Sequence, residues 1–221
     1  MESLSTGSIL LLIRNQTGFK KQSKNTYKPT MIKNILLMIF IGLFSACAIT
    51  KMTRGGYEEA SHEVLKKDGP IELRKYSELQ LVKTVMENNQ DNGFMRLFRY
   101  IDGGNDQNQK IAMTTPVFTS KGDEKSTMAF VLPAELKPNE VPAPNLKTVE
   151  VATQPEMIVA VRRYTGRHQT APEKIKLELM KWIENNEFIP GSSPIEAFYD
   201  PPWTPGFLRR NELIIPVTKK N

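Results

Sequence analysis

The chain has few of the residues that metal and thiol chemistry require. Its 221 residues include one cysteine and two histidines, so neither an internal disulfide nor a cysteine-based metal cluster can form. We also find no nucleophile-elbow, phosphate-loop or H-E-x-x-H motif in the sequence. These absences argue against common hydrolases, NTPases and zinc enzymes. They favour a protein that binds a ligand without transforming it.

An excess of one charge is also missing from most of the chain. The formal net charge is +6, but residues 1–46 hold six of the 30 basic residues and one of the 24 acidic ones. Residues 47–221 are therefore close to neutral. A neutral body lacks the basic surface that holds a phosphate backbone. We predict no nucleic-acid partner.

A hydrophobic run long enough to span a bilayer is absent as well. The apolar run of residues 35–46 has 12 residues, whereas a spanning helix needs about 20. It follows Lys33 and ends at Ser45 and Ala46, which is the layout of a secretory signal. Small residues before Cys47 resemble the lipobox of bacterial lipoproteins, although Phe44 stands where an aliphatic residue is usual.

This pattern predicts a signal peptide over residues 31–46 and lipidation of Cys47. The protein would then be anchored to a membrane on the exported side of a bacterial cell envelope, periplasmic or extracellular. A non-acylated signal and an uncleaved anchor are the alternatives. We expect translation to start at Met31 instead of Met1, with residues 1–30 as an extension outside any domain. Residues 47–57 are small and polar and predict a tether, followed by one domain over residues 58–219.

The body aligns with itself at an offset of 78 residues. Each half has two strand patterns, a helix pattern with one apolar face, and two further strand patterns. The apolar face of the first helix comprises Phe94, Leu97, Phe98 and Ile101, and that of the second Ile175, Leu179, Trp182 and Ile183. The sequence predicts an α+β fold in which duplicated strand-helix-strand-strand units form an antiparallel, distorted barrel-like sheet with two main helices. Because each half alone would be marginally stable, we expect one domain.

Four stretches have the character of family motifs. They are GFMRLFRYIDGGN at 93–105, KIAMTTPV at 110–117, FVLP at 130–133 and YDPPWTPGFLRRNE at 199–212. In this order they resemble the SOUL heme-binding protein family over residues 57–217. The resemblance implies a SOUL-like fold that binds heme or a related tetrapyrrole as its partner, non-covalently and without established catalytic chemistry. It places the binding groove beside the first helix, near the loop 199–210.

Residues in these stretches offer what a tetrapyrrole needs. We predict apolar contacts from Phe94, Phe98, Trp203 and Phe207, and cations for the propionates from Arg96, Arg99 and Arg209. The resemblance aligns Arg99 with a basic position of the family's helix. Each residue also has a simpler explanation, because helix aromatics usually fill cores and helix arginines are usually solvated.

The sequence singles out no residue as the iron ligand. Some family members have been proposed to use a histidine near the first strand, where this sequence has Lys75 and Tyr76. His62, His168 and Met113 are each better explained as surface or core residues. We therefore leave the axial ligand open and expect binding by apolar burial and arginine–propionate pairing. The alternatives are an envelope scaffold that does not bind heme and a hydrolase or heme-modifying enzyme.

Overall fold

The computed structural model describes residues 33–34, 56–87, 92–122, 125–167, 171–191 and 193–220. Residues 48–221 form one compact unit. Apart from residues 33–34, the predicted signal peptide lies outside the described residues, as do Cys47, His168 and the extension over residues 1–30. In the described part of the chain, no helix is both long and apolar enough to cross a membrane.

Between residues 56 and 220 the described chain forms twelve strands and two α-helices. The strands are β1 (Glu58–Glu59), β2 (His62–Asp68), β3 (Ile71–Tyr76), β4 (Leu79–Met86), β5 (Thr114–Thr115), β6 (Val117–Lys121), β7 (Ser126–Val131), β8 (Val149–Gln154), β9 (Met157–Tyr164), β10 (Phe188–Pro190), β11 (Ile195–Phe198) and β12 (Asn211–Lys219). The helices are α1 (Gly93–Ile101) and α2 (Glu173–Asn185), and a 3-10 turn covers Gly206–Leu208.

One antiparallel sheet dominates the fold. Its strands follow the order β2-β3-β9-β12-β11-β6-β7-β4-β8, with β10 also paired to β12, while β1 and β5 form a small parallel pair. Among the described residues the edge strands β2 and β8 do not pair with each other, so the sheet stays open. The predicted α+β class, with two helices on a large antiparallel sheet, is confirmed.

The duplication is visible in the strand register. Ile71 of β3 lies opposite Arg162 of β9, and Val149 of β8 lies opposite Thr84 of β4. Both members of the second pair are 78 positions from their counterparts in the first. Each half thus contributes its first strand to the other half's part of the sheet. This exchange explains why the two halves form one domain.

Both helices pack on the same face of the sheet. Helix α1 contacts β4, β7 and β8, and α2 contacts β9, β10 and β12. The predicted apolar face of α2 is confirmed, because Leu179, Trp182 and Ile183 are buried and Ile175 packs against them. A third cluster of buried residues lies on the opposite face of the sheet and includes Tyr76, Phe118 and Ile214.

Helix α1 differs from its predicted face. Leu97 and Ile101 are buried as predicted, and Tyr100 is buried with them. Phe94 and Phe98, however, are 42% and 40% exposed. The buried stripe is therefore rotated away from these two aromatic residues. Neither of them belongs to the buried cluster of this half.

Candidate functional site

Phe94 and Phe98 form an exposed aromatic pair along one flank of α1. Their rings are nearly parallel, with an interplanar angle of 12° and centroids 6.3 Å apart. When the two helices are aligned by their buried residues, the pair corresponds to Lys176 and Met180 of α2. The duplicated fold therefore does not require aromatic residues at these positions. Their presence in the first half alone indicates a role beyond folding.

The sheet beside this flank supplies an apolar floor. The ring of Phe130 in β7 meets Phe94 edge-on at 5.1 Å. Val117 lies opposite Phe130, and Phe198 lies opposite Val117. Since directly paired residues point to the same face of a sheet, these three side chains form a row across β7, β6 and β11. Val117 and Phe198 are half-buried whereas Phe130 is 1% exposed, so solvent reaches the part of the row that lies on β6 and β11.

The groove between the two helices follows from this arrangement. Strands β6 and β11 lie between the strands that carry α1 and those that carry α2. A second row beside the first contains Met128, Thr119 and Glu196. We define the helix groove by its flank, Phe94 and Phe98, and by these two rows.

A carboxylate closes the α2 side of the helix groove. Glu196 is 9% exposed and accepts hydrogen bonds from the Tyr164 hydroxyl at 2.7 Å and the Ala171 N–H at 2.8 Å. Burial, together with the bond to this carboxylate, raises the pKa of Tyr164. The groove thus has an apolar floor and one acidic border.

The two arginines of α1 have different environments. Arg96 donates to the Thr84 hydroxyl at 3.0 Å and to the Val85 carbonyl at 2.7 Å. It therefore faces β4, on the flank opposite the aromatic pair. There it borders a cleft of about 730 Å³ whose lining includes Lys83, Lys125 and Lys147. Arg99 lies on the exposed surface of α1, and its side chain makes no hydrogen bond or ion pair within the described residues.

The loop 199–210 presents its aromatic residues to solvent. Trp203 is 72% exposed and Phe207 is 79% exposed. Within the described residues neither ring contacts another aromatic ring. Arg209 donates to the carbonyls of Thr204 and Pro202, so its guanidinium is used within the loop itself. Among the described residues no aromatic contact links Trp203 or Phe207 to the aromatic pair of α1, so the joint role of Trp203, Phe207 and Arg209 in a ligand site stays a prediction.

A buried charge network anchors both ends of this loop. Arg74 of β3 donates two hydrogen bonds to the fully buried Glu212 carboxylate, at 2.8 and 3.1 Å. Tyr199 donates to the same carboxylate at 2.8 Å. Arg210 donates to it at 3.2 Å and pairs with Glu59 of β1 at 2.8 Å. The Arg210 guanidinium also stacks 3.7 Å from the centre of the Tyr199 ring.

The network shifts the pKa values of its members. Burial raises the pKa of Glu212, but the hydrogen bonds and charge of Arg74 outweigh it, so the net pKa is lowered. Burial would lower the pKa of Arg74, yet its bonds to Glu212 raise it. Burial raises the pKa of Tyr199. The acid and the bases thus remain charged and Tyr199 stays neutral at ordinary pH.

Of the residues considered as iron ligands, His62 lies away from the groove and His168 lies outside the described residues. His62 is on β2, where its ring lies 5.1 Å from that of Tyr76 on the opposite face of the sheet. Met113, in contrast, packs against the same buried cluster as the floor residues Val117 and Met128. No group of three His, Cys, Asp or Glu residues suited to a metal ion occurs in the part of the chain that the structure describes.

Several groove residues were not predicted from the sequence. Phe130 belongs to the FVLP stretch and Val117 ends KIAMTTPV. Both motifs indicated this region, but not which of their side chains form the floor of the helix groove. Phe198 and Met128 carry no local signal, because only the pairing of β11, β6 and β7 brings them together.

Comparisons with known proteins agree with this architecture. Heme-binding protein 2 of Mus musculus is 28% identical over 120 residues. The match covers 49% of this chain and 58% of that relative's length. Among solved structures, an uncharacterized conserved protein from Listeria innocua has a TM-score of 0.54 at 10% identity, covering 67% of this chain and 92% of that one. A hydrolase from Listeria innocua has a TM-score of 0.52 at 9% identity, covering 70% and 94%.

These structural likenesses concern the fold alone. The family comparison reaches further, because the model of the SOUL heme-binding protein family matches residues 57–216. That range includes α1, the groove floor, the loop 199–210 and the charge network. The chain therefore belongs to the SOUL heme-binding protein family.

Proposed function

We propose that the helix groove binds heme or a related tetrapyrrole. One observation carries the proposal: Phe94 and Phe98 present parallel, solvent-accessible rings beside a half-buried apolar floor. A flat apolar ligand can stack against such rings and exclude water from the floor. We assign no catalytic residue and propose a binding role.

The charges around the groove favour one ligand orientation. Arg99 is the α1 arginine that has no partner within the described residues, and a guanidinium can hold a propionate with two hydrogen bonds. Glu196 at the opposite border would repel a carboxylate. The propionates therefore point toward Arg99, and the apolar edge of the ring, which carries methyl and vinyl groups in heme, points toward α2.

Iron ligation contributes little in this proposal. His62 lies on the opposite face of the sheet, next to Tyr76. The affinity then rests on the ring and its propionates. Metal-free protoporphyrin should bind nearly as tightly as hemin.

A hemin titration of residues 48–221, followed by the Soret band, tests the proposal. The variant Phe94→Ala/Phe98→Ala removes the exposed pair and should weaken binding at least roughly tenfold. Leu177→Ala is the matched control, because Leu177 is 61% exposed on α2 and should leave binding unchanged. A Soret shift that does not saturate, or that survives the double substitution, would sink the proposal.

We also propose that the domain is tethered to a bacterial envelope membrane through a lipid on Cys47. The order of Lys33, the apolar run and Ser45-Ala46-Cys47 supports this assignment. The intact mass of the protein purified from its own membrane tests it. A mature chain beginning at Cys47 with added acyl groups is expected, and an unmodified Cys47 would contradict the tether.

A further inference from the structure

The loop 199–210 exposes apolar surface in a fixed conformation. Trp203 and Phe207 are 72% and 79% exposed. Each ring belongs to its own turn: the Thr204 N–H donates to the Pro201 carbonyl at 3.0 Å, and the Leu208 N–H donates to the Pro205 carbonyl at 2.9 Å. Exposed apolar surface that several large side chains contribute in one region is typical of protein and membrane interaction sites. These two rings do not collapse onto the domain.

The ends of the loop are tied down as well. Tyr199 is fixed by Glu212, and Asp200 accepts the Arg210 N–H at 2.6 Å. The Arg209 guanidinium donates hydrogen bonds to two backbone carbonyls of the loop. Little conformational entropy would be lost when such a loop inserts into another phase. The loop is therefore held in a conformation that exposes its tip, Trp203 and Phe207.

The start of the domain lies beside this loop. Glu59 of β1 pairs with Arg210 at 2.8 Å. Eight residues, 48–55, separate Cys47 from Gly56, and a chain of that length spans at most roughly 30 Å when fully extended. If Cys47 carries a lipid, as proposed above, the loop is held within reach of the bilayer surface.

The chemistry of the tip fits a bilayer surface. Tryptophan is enriched at the interface between lipid and water, where its ring is apolar and its N–H stays hydrated. Arg167 lies against Gly206 at the base of the tip and is exposed, so it is positioned for anionic headgroups. Phe207 adds an apolar side chain that enters the acyl boundary.

We propose that the loop 199–210 is a membrane-docking loop that inserts Trp203 and Phe207 into the surface of a phospholipid bilayer. The row of Phe130, Val117 and Phe198 ends where this loop begins. Docking therefore brings one end of the helix groove to the bilayer, where an amphipathic planar ligand partitions. Its biological setting rests on the proposed lipid tether, but the loop's affinity for a bilayer is a property of the domain alone.

Sedimentation of residues 48–221 with vesicles of phosphatidylethanolamine and phosphatidylglycerol tests the docking loop. This unit contains all three hydrophobic clusters. Trp182 is 8% exposed and donates to Asp68 at 3.0 Å, so changes in tryptophan emission report on Trp203. We expect the chain to sediment with vesicles, a blue shift of the emission, and quenching by brominated lipid.

Variants separate docking from ligand binding. Trp203→Ala/Phe207→Ala should lower vesicle partitioning roughly tenfold or more. The control Leu177→Ala/Ile189→Ala, at 61% and 49% exposure on a different surface, should not. Absence of vesicle binding, or equal binding by the loop variant, overturns the docking loop. The docking loop is also overturned if the loop variant loses hemin affinity in solution but keeps its vesicle affinity. The loop would then be a wall of the helix groove. Hemin titrations without vesicles and the mass of the native protein report separately on the groove and the tether.

Discussion

Replacing Glu212 with glutamine removes the negative charge at the centre of the buried network and keeps the size of the side chain. Among the described residues Arg74, whose side chain is 5% exposed, then keeps Glu72 as its one counter-charge, at 2.7 Å and with 17% exposure. Removing one partner of a buried ion pair typically costs 3–5 kcal/mol. Because Glu72 still compensates part of the charge, we expect about 3 kcal/mol for Glu212→Gln.

Urea unfolding of residues 48–221, followed by circular dichroism, measures this loss. At roughly 2–4 °C per kcal/mol for a domain of this size, the same change lowers Tm by about 6–12 °C. The matched control is Glu150→Gln, which removes a surface pair with Lys83 at 3.4 Å and should cost under about 1 kcal/mol.

A double variant tests the explanation itself. The variant Arg74→Met/Glu212→Leu removes both buried charges of this pair. Arg210 keeps its ion pair with Glu59, and Glu72 keeps its ion pair with Lys67. The double variant should be more stable than Glu212→Gln alone. A loss below about 1 kcal/mol for Glu212→Gln, or a double variant that is less stable than the single one, would refute the reasoning.

Three further outcomes are expected. Burial and the nearby Asp106 carboxylate raise the pKa of Tyr100 to about 12. The folded state therefore favours the neutral phenol, and the stability that this contributes below about pH 10 is lost as the pH rises toward 12. Tyr100→Phe should make this alkaline loss of stability shallower in urea unfolding. A Cβ on Gly104 would lie 2.6 Å from the Arg99 carbonyl oxygen, so Gly104→Ala should cost roughly 1–3 kcal/mol in urea unfolding, whereas Gly56→Ala, with open space around it, should cost little. Arg99→Glu should weaken hemin binding roughly tenfold and leave the free energy of unfolding unchanged. Arg96→Ala should lower the free energy of unfolding and leave hemin affinity unchanged. The reverse pattern would contradict the placement of the two arginines.

Local sequence patterns were enough for most of the fold. Strands β3, β4, β8 and β9 follow from apolar alternation, and the offset of 78 residues relates β3 to β8 and β4 to β9 without adjustment. Strand β2 was missed because six of its seven residues are exposed. A polar edge strand has no apolar pattern by which it can be identified.

The site was predictable only in part. The helix motif identified Phe94, Phe98 and Arg99, but not that Arg96 bonds to Thr84, since a helix pattern does not show which strand lies beneath each flank. Arg74 and Glu212 are 138 residues apart, so no local spacing relates them. The floor depends in the same way on long-range strand pairing.

Methionine methyl NMR with metal-free protoporphyrin tests the helix groove most directly. Met128 lies in the groove floor and Met95 is 44% exposed on α1, whereas Met157 packs against the cluster on the opposite face of the sheet. The ring current of a bound tetrapyrrole should shift the methyl signals of Met95 and Met128 at stoichiometric ligand. The methyl signal of Met157 should stay in place. A shift confined to Met157, or no shift at saturation, would contradict a tetrapyrrole site beside α1.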